Sequence, residues 1–295
     1  MDKWVVYILL AVCLSSCGQA SGNKQVKQGT DSLQNDTVVS HPVDSLAYAY
    51  LKSGRIMYEN GDKLGAIAKY NKAIEIDPLY MLAYYNRGLS KSKIGDNQGA
   101  IDDYSKAIQI NPQYIKAYFN RGLIKSKLGD NKEAIVDYSK AIQINPQYIK
   151  AYFNRGNCKS KLGDKEGAIS DYNKAIELDA QNINAYINLG VEKYELGDYE
   201  GEIATYRLAI KNCSPDADLY NNLGRALYDL KRFKEAAEAY GEGIKAFPND
   251  GKLYYGRGLA RNRLGDKNGA CEDWHRSSEL GCLQANALLL LCGEK

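Results

Sequence analysis

Histidine is nearly missing from this chain of 295 residues; it has two, His41 and His275. A histidine-built metal centre or catalytic set therefore has almost no material to draw on. An excess of charge of one sign is missing too. Lys and Arg number 39 against 36 Asp and Glu, a formal net charge of +3, so bulk charge does not make the chain a binder of polyanions. Beyond the first residues, no stretch is long and apolar enough to cross a bilayer. Gly-Asp pairs recur, but without a phosphate-loop pattern. More than half of the 24 tyrosines fall at two fixed positions of a repeated unit. They belong to a core and not to a base-stacking platform for nucleic acid.

What the chain does have is a period. From residue 44 to near the end, one pattern returns every 34 residues, seven times, without insertion or deletion. The string SKAIQINPQYIKAYFNRG occurs twice verbatim, at 105–122 and 139–156. A fixed period of this length marks an array of stacked units, which builds a long surface rather than a catalytic pocket. In the unit 81–114, numbered from Met81 as position 1, Tyr84 is at 4, Gly88 at 8, Ala100 at 20, Tyr104 at 24, Ala107 at 27 and Pro112 at 32. Positions 4, 8 and 11 share one helical face, as do 20, 24 and 27. Gly95-Asp96 between them is a stop-and-turn signal, and Pro112 ends the second helix. The spacing predicts a helix–turn–helix, with helix A followed by helix B.

These residues resemble the tetratricopeptide repeat, with Tyr in the usual Trp/Tyr slot. The units run 47–80, 81–114, 115–148, 149–182, 183–216, 217–250 and 251–284. Position 4 is always Tyr, position 8 always Gly, and position 24 always aromatic, ending in Trp274. Glu202 replaces the small residue at position 20 of unit 5, Lys231-Arg232 replaces Gly-Asp in unit 6, and Ala180, Ser214 and Cys282 replace the proline. The resemblance implies an all-α, right-handed solenoid of seven units over 44–284, followed by a short capping helix at 285–295. The all-apolar run 288–291 at its end covers the last unit or, alternatively, forms a dimer contact.

Comparing the copies adds a correlation. Arg occupies position 7 in four units (Arg87, Arg121, Arg155, Arg257), and in those four position 23 is Asp (Asp103, Asp137, Asp171, Asp273). Where position 7 is Leu189 or Leu223, position 23 is Thr205 or Ala239. In an antiparallel pair turning near position 15 the two stand level, so each Arg is expected to bridge its Asp. Shared inheritance of both residues by recently duplicated repeats is the alternative. Lys91, Lys125 and Lys159 at position 11 are expected to pack their stems and turn their ammonium groups outward.

The stripe 2, 6, 9 and 13 of helix A resembles the concave binding face of this family. Asn fills position 6 in five units (Asn86, Asn120, Asn154, Asn188, Asn222), a ladder able to hold an extended backbone, or simply inherited. Lys93, Lys127 and Lys161 at position 13, with Lys116 and Lys150 at position 2, make the face basic over units 2–4. Glu195, Asp229 and Asp218 make it acidic over units 5–6. Tyr85, Phe119, Phe153 and Tyr255 at position 5 are expected to supply apolar contacts on its floor; a solvated helix face with the aromatics half covered by neighbouring helices is the alternative. Family clamps for a C-terminal carboxylate use Lys at position 5, so that specificity does not carry over.

The ends carry two further signals. Residues 4–14 (WVVYILLAVCL) are an apolar segment too short to span a bilayer. They are followed by small residues and Cys17, which resemble a bacterial lipobox. This implies cleavage after residue 16 and lipidation of Cys17; an ordinary signal peptide or a short anchor is the alternative. Residues 17–43 read as a solvated tether. The expected location is the cell envelope, lipid-anchored in the outer membrane and facing the periplasm, where disulfides are permitted. If helix B of unit 7 and the capping helix form a hairpin turning near Gly281, Cys271 and Cys292 face each other and can pair. Cys158 and Cys213 read as small core residues.

The expected function is a non-enzymatic scaffold that binds a protein or peptide, with no cofactor, metal or nucleic acid. A structural subunit of an envelope secretion or assembly machine, using convex surfaces, is the first rival. An enzyme built on Cys271 and His275, spaced i, i+4, is a distant one.

Overall fold

The computed structural model describes residues 43–293, so the leader, Cys17 and the tether up to residue 42 lie outside the described residues. Fifteen α-helices and no strand are found among the described residues. Unit 1 is α1 (Ser45–Glu59) and α2 (Lys63–Ile76), and unit 2 is α3 (Met81–Lys93) and α4 (Asn97–Ile110). Units 3 and 4 are α5 (Ile115–Leu128) with α6 (Asn131–Ile144), and α7 (Ile149–Lys161) with α8 (Lys165–Leu178). Units 5 and 6 are α9 (Ile183–Glu195) with α10 (Tyr199–Asn212), and α11 (Ala217–Asp229) with α12 (Phe233–Ala246). Unit 7 is α13 (Gly251–Arg263) with α14 (Lys267–Glu279), and α15 (Leu283–Leu289) follows it.

Five of the seven B helices start in the same way for a local reason. Asp62, Asp96, Asp164, Asp198 and Asp266 accept a hydrogen bond from the backbone N–H three residues on, at 2.8–3.0 Å. That satisfies a donor the helix cannot. The N–H belongs to a glycine every time, because a Cβ there would stand 1.9–2.3 Å from the aspartate Oδ2. Where Glu133 replaces this glycine, Asp130 makes no side-chain cap.

The core is a glycine–aromatic lock. The glycine at position 8 receives the ring at position 24, and a Cβ on Gly122 would lie 2.9 Å from Tyr138 Cε1. All seven rings at position 24 are buried. Tyr138 Oη and Trp274 Nε1 have no hydrogen-bond partner, so ring volume rather than the polar atom explains the residue. Alanine at position 20 adds a flat contact, and Ala66, Ala100, Ala134, Ala168, Ala236 and Ala270 are fully buried. Glu202 takes this place in unit 5 and is also buried. Its helices α9 and α10 are the most loosely packed A/B pair of the seven.

Consecutive A helices come into contact at α1/α3, α5/α7 and α11/α13, most extensively at the last, while no two consecutive B helices do so to that extent. The A helices therefore form the inner, concave layer. At the C-terminal end α15 packs on α14 through the buried Ala285 and half-buried Leu288 and Leu289, while Leu290 and Leu291 remain exposed.

Candidate functional site

Charged residues of the repeat divide into a set held inside and a set left outside. The inner set centres on position 23. Arg87 donates from Nε and Nη2 to Asp103 at 2.9 and 2.6 Å. Arg121 with Asp137, Arg155 with Asp171, and Arg257 with Asp273 repeat this two-bonded geometry. Each Arg also lies over the position-4 ring of its own unit, at 5.4–5.8 Å.

The lysines at position 11 do not turn outward. Lys91, Lys125 and Lys159 place Nζ 2.9–3.0 Å from the second oxygen of the same aspartates, and Arg261 does so at 3.1 Å. The expectation of solvated ammonium groups is corrected for a clear reason. A carboxylate buried to a few per cent exposure still has lone pairs left after the guanidinium bonds each oxygen once, and the nearby ammonium takes a further one on Oδ2. In unit 5, which lacks the aspartate, Lys193 donates to Thr205 Oγ1 at 2.9 Å. In unit 6 the three places hold Leu223, Leu227 and Ala239, all buried.

The same arginines join neighbouring units. Nη1 of Arg87, Arg121 and Arg155 donates to Asn71 Oδ1, Ser105 Oγ and Ser139 Oγ of the preceding helix B, at 2.7–3.0 Å. Sequence reasoning missed this link and the inward lysine. The second was visible, since Lys or Arg at position 11 accompanies every Asp at position 23.

On the concave layer the Asn ladder is already engaged. Asn86 is buried and donates to Leu82 O at 2.7 Å, and Asn154 donates to Lys150 O at 2.8 Å. Asn120 donates to Tyr85 Oη at 2.9 Å, and Asn188 donates to Asn157 Oδ1 at 2.8 Å, both across a unit boundary. Asn222 is half-buried. The ladder is therefore in part a link between units and not an open row of amides. Tyr85 is not an open floor residue either. It is buried, with its ring 5.0 Å from Tyr114 and 5.8 Å from Tyr104. Phe119 and Phe153 are half-buried, held by Tyr138, Tyr148 and Tyr172.

The outer set is the position-13 row. Lys93, Lys127, Lys161, Glu195, Asp229 and Arg263 are all exposed. Lys150 is also exposed and Lys116 half-buried, and both make polar contacts of their own. Two members of the row are covered by position 17 of the preceding unit. Lys165 Nζ lies 2.7 Å from Glu195 Oε2, and Arg263 lies over the Phe233 ring at 5.2 Å. Before Lys127 and Lys161 that place holds Asn97 and Asn131, and neither lysine has an ion-pair partner.

Near unit 6, burial pushes the Glu202 carboxyl up to about 7, with Arg225 opposing and Asp229 adding to the rise. Cys271 and Cys292 are joined, with S–S 2.05 Å and Cα–Cα 5.7 Å. With its sulfur in that bond, Cys271 offers His275 no thiolate to activate. Cys158 and Cys282 are buried free thiols and Cys213 is half-buried. A depression of about 660 Å³ beside α8 is lined by residues such as Tyr152, Arg155, Asp171 and Lys174. Its Arg155 and Asp171 are the internal pair already described, and no group of metal-ligating residues occurs among the described residues.

Among curated proteins none matches this chain. Several solved structures share its fold. MamA is 25% identical, with a TM-score of 0.52 over 54% of this chain and 93% of its own. A tetratricopeptide repeat protein from Parabacteroides merdae is 20% identical, with a TM-score of 0.57 over 85% of this chain and 100% of its own. YrrB, described as a TPR protein with an unusual peptide-binding site, is 18% identical, with a TM-score of 0.51 over 63% of this chain and 96% of its own. Sequence profiles of the TPR repeat match 54–95 and 92–129, and those of the tetratricopeptide repeat match 115–148, 149–182, 183–214 and 217–250. Together they cover more than half of the chain, which thus belongs to the tetratricopeptide repeat family.

Proposed function

We propose that this protein is a non-enzymatic scaffold of the bacterial cell envelope, anchored through lipidated Cys17, that binds a segment of a partner protein along its A-helix face. The observation that carries this reading is the contrast between its two sets of charges. Inside, every position-23 aspartate is compensated by two cations. Outside, Lys93, Lys127 and Lys161 stand exposed without an ion-pair partner on the same helices. A fold that satisfies its own charges so fully leaves these three available to another molecule. Unpaired like charges along one face give on-rate and selectivity toward an acidic partner. YrrB, with its peptide-binding site, is a precedent for the fold and not for this surface. The half-buried Phe119 and Phe153 add apolar area beside the lysines.

The test is photo-crosslinking in intact envelopes from positions 93, 127 and 161, compared with outward positions of α4 and α6. One protein captured from the first set alone supports the reading. Capture from the B-helix positions alone supports the rival, a machine subunit working through its convex side. The anchor is checked separately: Cys17→Ser releases the protein into the soluble fraction.

A further inference from the structure

We infer that the partner segment is an extended acidic peptide carrying a carboxylate at every third residue, three in all, read by Lys93, Lys127 and Lys161. The inference rests on the partner-binding reading above and adds the partner's chemistry and register.

Three observations fix it. The lysines are equivalent residues of consecutive units, on an uninterrupted 34-residue period. The A helices of units 3 and 4 come into contact, and the uninterrupted 34-residue period carries the same step back to unit 2, so equivalent side chains are taken to repeat at roughly the 8–10 Å separation of packed helices. A polyproline II chain rises about 3.1 Å per residue with three residues per turn, so every third side chain points the same way, roughly 9 Å apart. The two periods match without bending either partner. A β-strand would turn its third residue to the opposite side.

The third observation is where the row begins and ends. At the unit 4/5 boundary the lysine moves to position 17, as Lys165, and position 13 becomes Glu195, paired with it at 2.7 Å. The next residue of the row is Asp229. Below Lys93 the position-17 residue is Lys63, whose ammonium lies 3.5 Å from the Tyr58 ring centroid. The available cations are thus three, and the row repels acid beyond unit 4. The matching ligand is a seven-residue segment with carboxylates at its first, fourth and seventh positions. The fixed step between the three lysines suits a chain of matching period, which the headgroups of a fluid bilayer do not hold.

The experiment uses the described array with intact Cys271–Cys292 and two labelled peptides of one composition, in a proline- and alanine-rich background. One carries Glu at positions 1, 4 and 7, the other at 1, 3 and 5. Fluorescence anisotropy at low ionic strength is expected to show about tenfold tighter binding of the first peptide, the equivalent of roughly 1.4 kcal/mol. The combined variant Lys93→Gln, Lys127→Gln and Lys161→Gln is expected to abolish the difference while retaining the circular dichroism of the parent. Equal affinity of the two peptides overturns the register. Binding of neither, or no effect of the triple variant, overturns the acidic-peptide assignment. Vesicles of anionic phospholipid that bind through the same lysines, with no peptide bound, reassign the row to a lipid surface and also overturn it. The envelope crosslinking above is independent of all these outcomes, so the broader reading survives or fails separately.

Discussion

Arg121 Nη1 donates to Ser105 Oγ at 2.9 Å, while Nε and Nη2 of the same guanidinium hold Asp137 of the helix on its other side. One side chain thus closes its own unit and fastens it to the preceding one. The planar fork of arginine suits this double duty, which a lysine at the same place could not perform.

Removing the anion at that junction exposes the cost of the arrangement. Asp137→Ala leaves Arg121 and Lys125 without their shared counter-ion and is expected to lose about 3–5 kcal/mol, the usual loss for breaking a buried pair from one side. Replacing all three residues with the unit 6 set, Arg121→Leu, Lys125→Leu and Asp137→Ala, is expected to lose far less. Urea denaturation of both variants checks this, and equal losses would sink the account.

The glycine–aromatic lock makes a steric prediction. Gly122→Ala puts a Cβ 2.9 Å from Tyr138 Cε1, and overpacking of this kind costs about 1–3 kcal/mol. Adding Tyr138→Leu is expected to recover part of that loss, so the double variant is less destabilised than the sum of the singles. Strict additivity in thermal denaturation argues against the lock.

Lys231 holds a left-handed backbone, φ 61°, at the turn of unit 6, where the other six units place glycine at φ 79–93°. Lys231→Gly is expected to stabilise the protein by about 1 kcal/mol, the approximate penalty of that conformation for a residue with a Cβ. A lower melting temperature would falsify this.

Glu202 gives the array a pH dependence whose sign follows from burial. Its folded pKa is pushed up to about 7 by desolvation, above the ordinary glutamate value of about 4.3. Between these values the folded state holds a proton that the unfolded state has released, so stability falls as pH rises through this window. The contribution is present below the unfolded pKa and lost by about pH 7. Glu202→Gln is expected to flatten the fall and raise the urea midpoint at pH 8 relative to the parent. Parallel midpoints for parent and variant at pH 5 and pH 8 would remove Glu202 as the cause.

Reduction acts at the other end. The Cys271–Cys292 bond closes a sequence separation of 21 residues, and a loop of that order contributes about 3 kcal/mol through the unfolded state. Cys292→Ser is expected to loosen α15 first, seen as faster amide exchange at residues 283–289 with units 1–4 unchanged. Uniform faster exchange along the array contradicts a local cap.

Much of the fold was legible because each unit solves the same packing problem with the same residues. Gly122 and Tyr138 lie 16 positions apart, and one helix–turn–helix brings them together whatever the neighbours do. The same holds for Arg121 and Asp137. The candidate face was legible only in part. Lys127 and Lys161 are where the stripe of helix A places them, exposed. Tyr85 and Asn86, on the A helix of unit 2, are buried.

The sequence by itself determined the period, the helix pairs, their caps and the aromatic core, since these are contacts within about one unit length and follow from spacing alone. Only the tertiary structure decided which polar side chains remain free. Asn120 reaches Tyr85 across 35 residues, and Lys165 reaches Glu195 across 30. Such pairs depend on how each unit is rotated and shifted against the previous one. That rotation arises from the summed packing of two whole helix layers, which no single repeat encodes.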